Sequence, residues 1–224
     1  GGAFTIFALR AGAVAEGKRF AIASREGALV FNNVMLSAIL AIVLLGTLYP
    51  LLLDALSGAK LSVGPPYFNA MFVPLIGALM LTLGVGILVR WKDTPLKWLL
   101  GMLTPVLITS VVLGGLGSLL FGDFNWAVLA VSLLAAWVVI AGIRDLLDKT
   151  RHKGLFKGMR SLAPSYWGMH LAHLGLAVCA IGVVLTSHQS AERDLRLAPG
   201  ESLSLGGYEF VFEGAVHHEG PNFT

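Results

Sequence analysis

Apolar residues in this chain come in runs of roughly 20, separated by short polar segments. A run of that length forms a helix that reaches across the hydrocarbon core of a bilayer. The pattern predicts an all-α polytopic membrane helical bundle with a small extracytoplasmic β-rich domain at its C-terminal end. We expect a partial helix over 1–9 and transmembrane spans at about 34–56, 67–89, 98–121, 126–143 and 166–188.

Charges in the connecting segments predict how these helices are oriented. Lysine and arginine are concentrated in the segments 10–33, 90–97 and 144–163, whereas the segments 57–66 and 122–125 hold one lysine and one aspartate. Because basic loops of membrane proteins remain in the cytoplasm, the three basic segments are predicted to be cytoplasmic loops.

The first basic segment contains a further helix signal. The sequence SREGALVF, from Ser24 to Phe31, predicts a short interfacial helix that begins with Ser24 as its N-cap.

After residue 188 the pattern changes to an alternation of apolar and polar residues, which is typical of β-strands. Leu203 and Leu205 alternate with serines, Phe210 and Phe212 follow, and Gly206-Gly207 can form a hairpin turn between the two runs. We therefore expect 189–224 to be the start of a β-rich domain. It would lie on the side opposite the basic loops, which is the periplasm in a Gram-negative bacterium.

Composition agrees with a membrane protein. Hydrophobic residues make up 56% of the chain and charged residues 13%, about half the charged share of soluble proteins. The net charge of +3 does not indicate nucleic-acid binding, because the positive charges lie in short loops.

The single cysteine, Cys179, excludes an internal disulfide and is expected to be a small buried hydrophobe. Since the chain lacks an initiator methionine, we expect it to be an internal piece of a longer protein.

Two histidines in the last predicted span are the main candidates for chemistry. His170 and His173 lie three residues apart, so they project within about 60° of each other from one helix. Titratable side chains inside a membrane helix are costly and indicate function. These residues leave open haem or metal ligation, a hydrogen bond to another helix, and proton transfer. Small neighbours would let a flat macrocycle or another helix come close: Gly168, Ala172, Gly175 and Ala177.

The remaining histidines carry weaker signals. His217 and His218 are adjacent in a strand-like segment, where they would point to opposite faces, so surface positions are favoured over a metal site. His152 belongs to a basic loop, and His188 is expected at the outer membrane interface. The sequence has no paired carboxylates, nucleophile triad, P-loop or GxGxxG motif, so nothing in it indicates a hydrolase or an NTPase.

Several longer motifs follow one another along the chain in a recognisable order. They are Ser24–Leu29 with Asn32-Asn33, Leu45–Pro50 with Val63–Asn69, Trp167–Met169 with Ala172–Gly175, and Glu192–Asp194. In this order and spacing they resemble the C-terminal half of the CcmF/NrfE family, the haem lyase subunits of the System I pathway for cytochrome c-type biogenesis.

This resemblance implies a function. Members of the family are inner-membrane proteins that attach haem to CxxCH motifs of apocytochrome c in the periplasm. They act with CcmH, CcmI and haem-loaded CcmE, so haem lyase activity is expected only in the full complex. A quinol is a candidate electron donor, membrane lipid surrounds the helices, and no nucleic acid is involved.

The resemblance also implies a cofactor, a b-type haem in the membrane. His173, in the motif Ala172-His173-Leu174-Gly175, matches one of its two axial ligands and would bind the haem iron. The other ligand and a tryptophan-rich segment are expected upstream of Gly1. Residues expected to line the haem pocket are Trp167, Gly168, Ala172, Gly175 and His170, although His170 is not part of the family pattern.

Two other functions are compatible with the residues. Prolines within predicted helices (Pro50, Pro74 and Pro105) and glycine-rich spans would also suit a transporter or exporter of haem or a small solute. The β-rich segment could instead serve as a scaffold that docks partner proteins.

Overall fold

The computed structural model describes residues 21–122, 124–190 and 193–216, together with positions 2, 5, 6 and 8–10. The helices from Arg25 onward are α1 (Arg25–Ser57), α2 (Pro65–Leu88), α3 (Leu96–Leu119), α4 (Trp126–Thr150), α5 (Leu155–Arg160) and α6 (Pro164–Gln189). Strands β1 (Ser202–Leu205) and β2 (Tyr208–Val211) form an antiparallel pair. All of these helices except α5 are long and apolar enough to cross a membrane, so the predicted set of five spans is confirmed as five candidate membrane-spanning helices.

Helix α1 is longer than predicted. Ser24 does act as the N-cap, because its hydroxyl accepts a hydrogen bond from the Gly27 amide at 3.1 Å. The helix that begins there continues without a break to Ser57, so the predicted interfacial helix and the first span are one helix of 33 residues. No proline or glycine separates Phe31 from Val34, and the predicted loop over 10–33 therefore already ends at residue 24.

Helix α4 also extends beyond its predicted end. The predicted span stopped at residue 143, where the charges begin, but the helix continues to Thr150. Asp145 and Lys149 lie one turn apart and form an ion pair of 2.8 Å along the helix surface. The predicted loop over 144–163 is therefore mostly helical, since α5 also falls within it.

The first compact unit, Gly1–Val184, has its buried core where α2, α3 and α4 meet. Met80, Val106 and Val138 are almost fully buried there. Helices α2 and α4 approach closely at Gly84, where a side chain would collide with the ring of Trp137. The Trp137 indole donates a hydrogen bond to the Leu81 carbonyl at 3.0 Å, which satisfies its polar group inside the apolar core.

Helices α1 and α6 bury much less of themselves than the central helices. Gly46 is the buried residue of α1, and Ala177 is the buried residue of α6. Most of their apolar side chains are exposed, which suits contact with lipid or with other protein. Because α6 is only loosely packed, space remains on both sides of its first half.

The second unit, Leu185–Thr224, contains the hairpin. Leu205 pairs with Tyr208, so the turn consists of Gly206 and Gly207, which adopt φ values of 60° and 83°. Only glycine adopts such positive values without strain, and consecutive positive values define the turn type that matches strand twist. The hairpin prediction is confirmed. Within residues 193–216 the β-rich domain amounts to this one hairpin, and Leu195 and Leu197 lie outside its strands.

Candidate functional site: two clefts beside helix α6

The first half of α6 is held against α4 by a polar cluster around Asp145. This carboxylate is 8% exposed and accepts a 2.7 Å hydrogen bond from the Tyr166 hydroxyl. The Lys149 ammonium lies 2.8 Å from both of its oxygens. The Lys149 ammonium also lies 4.6 Å from the centre of the Tyr166 ring. The buried negative charge is therefore compensated by a cation and by a neutral donor from another helix.

His170 adds to this contact between α4 and α6. Its Nε2 atom lies 3.5 Å from Asp145 Oδ2, a distance that suits an ion pair when the ring is protonated. The Nε2 atom is buried and forms no direct hydrogen bond with a described residue. On the other side of the ring, a Cβ atom at Gly142 would lie 3.0 Å from His170 Nδ1. The glycine therefore allows the imidazole to pack directly on α4.

His173 lies one turn further along α6, between two clefts. The first cleft, about 180 Å³, separates α6 from α1 and α2; its wall consists of Arg25, Ala28, Leu29, Asn32, Thr82, Leu83, Gly86, Ile87, Met169 and His173. The second cleft, about 160 Å³, separates α6 from α4; its wall consists of Val138, Val139, Gly142, Ile143, Leu146, Trp167, His170, His173 and Leu174. His173 is thus the residue that lines both clefts.

The His173 ring has an unsatisfied polar atom. Its Nδ1 is buried and has no hydrogen-bond partner among the described residues. Most buried polar atoms in proteins are paired, so an orphaned one requires an explanation. A neutral imidazole in an apolar cleft is a good ligand for metal or haem iron, or it can pair with a group that the structure does not contain.

Arg25 brings a positive charge to the first cleft. Its Nη2 atom lies 3.5 Å from Met169 Sδ, and its guanidinium lies 5.5 Å from the centre of the Trp91 ring. The N-terminus of α1 is fixed nearby, since the Arg25 amide donates to the Arg90 carbonyl at 2.8 Å. These contacts place a cation in the wall that also contains His173.

A haem fits the chemistry of these residues. His173 supplies an imidazole whose Nδ1 is unpaired among the described residues, and both clefts beside it have mainly apolar walls. The described residues contain no group of three or more His, Cys, Asp or Glu side chains that could hold a bare metal ion. Among the described residues, His173 is the side chain that would hold a haem iron.

The structure places the other predicted pocket residues on two different faces of α6. Trp167 and His170 line the second cleft with His173. Gly168, Ala172 and Gly175 line neither cleft and are exposed. At about 100° per residue they project about 130–170° away from the direction midway between His170 and His173 around the helix. That Gly168, Ala172 and Gly175 line a haem pocket therefore stays a prediction, and neither of the two clefts supports it. Their face can instead accept a closely approaching helix.

Other candidates from the sequence have different outcomes. Cys179 is exposed, so the expectation of a buried thiol is wrong; it lies on the same side of α6 as Gly175. His152 is exposed and its Nε2 accepts a hydrogen bond from Arg151 Nε at 2.9 Å, in agreement with a surface position. His217 and His218 lie outside the described residues.

Sequence reasoning missed Arg25 and Asp145 as parts of the site. Arg25 was predicted to lie in a short interfacial helix and Asp145 in a basic loop, and neither was assigned to a site. A signal was present for Arg25, because it directly follows the correctly predicted N-cap Ser24. A signal was also present for Asp145, an acidic residue one turn before Lys149.

Comparison with known proteins finds similar sequences that match the chain over essentially its whole length. The chain is 68% identical over all of its 224 residues to the cytochrome c-type biogenesis protein CcmF of Pseudomonas aeruginosa. It is 37% identical over its whole length to CcmF of Escherichia coli, and 34% identical over 99% of its length to cytochrome c-type biogenesis protein NrfE of Haemophilus influenzae. The chain spans 34%, about a third, of the length of each of these relatives. No family model and no solved structure matches the chain.

Five membrane-length apolar helices together with these relatives define a multi-pass membrane protein. More particularly, the chain belongs to the CcmF family of cytochrome c-type biogenesis proteins.

Proposed function

We propose that this chain is the part of a cytochrome c haem lyase that supplies one axial ligand, His173, to a membrane-embedded b-type haem. The observation that carries the proposal is the buried Nδ1 of His173, which lies between two mainly apolar clefts and has no hydrogen-bond partner among the described residues. The names of the relatives support the biological setting, since each is called a cytochrome c-type biogenesis protein. In that setting the complete protein helps to attach haem to CxxCH motifs of apocytochrome c.

The residues of this chain would bind and orient the cofactor and keep water from it. A haem bound there supplies one-electron redox chemistry, whose potential depends on ligand identity, burial and neighbouring hydrogen bonds. His173 would hold the haem iron through its imidazole. Trp167 and Leu174 close one side with apolar surface, and Leu83 and Ile87 close the other. Asp145 and Tyr166 hold α6 on α4, which fixes the direction of the His173 side chain.

The setting that we propose includes location and partners. The protein lies in the bacterial inner membrane, with the basic segments in the cytoplasm and the residues after 188 in the periplasm. CcmH, CcmI and haem-loaded CcmE are its proposed partners, and a quinol is the proposed source of electrons. Lyase activity belongs to the full complex, because this chain carries only one part of the haem site.

Replacement of His173 tests the proposal. In the full-length family protein that carries these residues, His173→Ala is expected to abolish or strongly reduce the b-type absorption spectrum, because the iron loses one axial ligand. The readout is haem content and the reduced-minus-oxidised spectrum of purified protein. His188→Ala, a change of the same kind on the same helix, is the matched control and should retain both. Full haem content and an unaltered spectrum in His173→Ala would refute the ligand assignment.

A further inference from the structure

The guanidinium of Arg25 is a cation without a carboxylate partner in the described part of the chain. The ion pairs there involve Asp145 and Asp148, with Lys149, Arg151 and His170 as their cationic partners. The neighbouring Glu26 is engaged elsewhere, since it accepts a 2.8 Å hydrogen bond from the Lys92 amide. Among the described residues, the polar and cation-π contacts of the Arg25 guanidinium are with the Met169 sulfur and the Trp91 ring, both of them weak partners for a guanidinium.

Arg25 and His173 share the wall of the first cleft. Met169, which contacts Arg25, lies four residues before His173, so the two α6 positions are about 6 Å apart along the helix axis. Between them the wall is mostly aliphatic, with Ala28, Leu83 and Ile87. The cleft thus presents an imidazole and, one helical turn away, a cation, with apolar surface around both.

This arrangement suits a flat apolar ligand with a metal at its centre and carboxylates at its edge. We infer that Arg25 binds a propionate carboxylate of the haem that His173 ligates, and that it thereby fixes the orientation of the macrocycle against the wall of the first cleft. The inference rests on the proposed function and extends it to a second residue of the site. A guanidinium can donate two parallel hydrogen bonds to one carboxylate, which provides geometric specificity as well as attraction. Apolar surroundings strengthen that attraction.

Haem dimethyl ester provides a direct test, because it retains the iron and the macrocycle but has no propionate charge. Haem-free full-length protein would be titrated with haem and with its dimethyl ester, and the two dissociation constants compared by absorbance. The wild type is expected to prefer haem by about tenfold or more, as a charge-assisted hydrogen bond would give. Arg25→Gln should lose most of this preference, while its affinity for the ester should stay within about threefold of wild type.

Arg90→Gln is the matched control. Arg90 lies close to Arg25 and has the same charge, but its guanidinium stacks 3.9 Å from the centre of the Trp98 ring and does not line the cleft. This variant should keep the wild-type preference for haem. If Arg25→Gln does not fold, Arg25→Lys replaces it; this variant should show a smaller preference than wild type, because an ammonium cannot bind a carboxylate through two parallel bonds.

The possible outcomes separate this inference from the proposed function. If Arg25→Gln keeps the full preference for haem over the ester, Arg25 is not the carboxylate partner and the inference is overturned. The same holds if the wild type shows no preference, or if Arg90→Gln loses it equally. In those cases the ligand role of His173 would still be supported if the wild type bound haem and its dimethyl ester and His173→Ala abolished the binding of both. Failure of the wild type to bind either ligand would overturn both.

Discussion

Asp145 is the residue on which the polar contacts between α4 and α6 converge. It forms an ion pair with Lys149 of its own helix and accepts a hydrogen bond from the Tyr166 hydroxyl of α6. His170, also of α6, lies close to the same carboxylate. Such a site is sensitive to the loss of its charge, because two donors and a nearby imidazole depend on a single carboxylate.

We therefore predict that Asp145→Asn lowers the free energy of unfolding by about 1–3 kcal/mol. The amide keeps the shape of the side chain but removes the charge that compensates Lys149. Thermal unfolding of the detergent-solubilised protein would measure the change. Asp148→Asn is the control, since its pair with Arg151 is more exposed and should contribute less than about 1 kcal/mol. Equal losses in the two variants would contradict a special role for the Asp145 cluster.

At the scale of single elements, α6 has two faces with different roles. The face with His170 and His173 looks onto the clefts, and the opposite face carries Gly168, Ala172 and Gly175 at the surface. The contact of α6 with α4 includes a glycine of the partner helix, Gly142, where an added Cβ atom would lie 3.0 Å from His170 Nδ1 and the ring would have to shift slightly.

A pair of glycine substitutions tests this difference between the faces. Gly142→Ala should destabilise the protein relative to Gly168→Ala by about 1–3 kcal/mol, the usual effect of overpacking. The new methyl group at 142 would press on His170, whereas nothing lies within 4 Å of the corresponding position at 168. Both changes add the same helix propensity, so their difference isolates the packing term. The measurement is the difference in thermal unfolding between the two variants. No difference would mean that α6 shifts to accommodate the methyl group at position 142 without loss of stability.

At the scale of the whole molecule, the distribution of positive charge predicts the orientation in the membrane. Segments 90–97 and 144–163 carry most of the described lysines and arginines, and the hairpin segment follows the last membrane-length helix. If each of the five candidate helices crosses the membrane, the segment before the first of them and the hairpin segment are predicted to lie on opposite sides.

This orientation can be tested by labelling single cysteines introduced into a Cys179→Ala variant, which has no cysteine of its own in this chain. A membrane-impermeant maleimide should label Ser204→Cys in intact spheroplasts, because we predict this residue to be periplasmic. Lys153→Cys should react only after the membrane has been permeabilised, because we predict it to be cytoplasmic. The reverse pattern of labelling would show that the orientation is inverted.

The sequence by itself determined the features that depend on neighbours along the chain. The number of membrane-length helices follows from apolar runs, the start of α1 follows from Ser24, and the hairpin turn follows from Gly206-Gly207. Each of these depends on local backbone chemistry or on the length of an apolar run, both of which can be read from a short window. Helix ends were less predictable, because charged residues such as Asp145 can continue a helix as readily as they can begin a loop.

Only the tertiary structure decided which residues share the site. Arg25 and Met169 are 144 positions apart, and no periodicity relates them. The rotation of α6 about its own axis places Trp167 and His170 in the wall of the second cleft. The same rotation directs Gly168, Ala172 and Gly175 away from that cleft. Packing sets this rotation, since Ala177 is the buried residue of α6 and the Tyr166 hydroxyl of α6 donates a hydrogen bond to Asp145 of α4. A sequence window contains no information on such contacts, because they join helices that are distant along the chain.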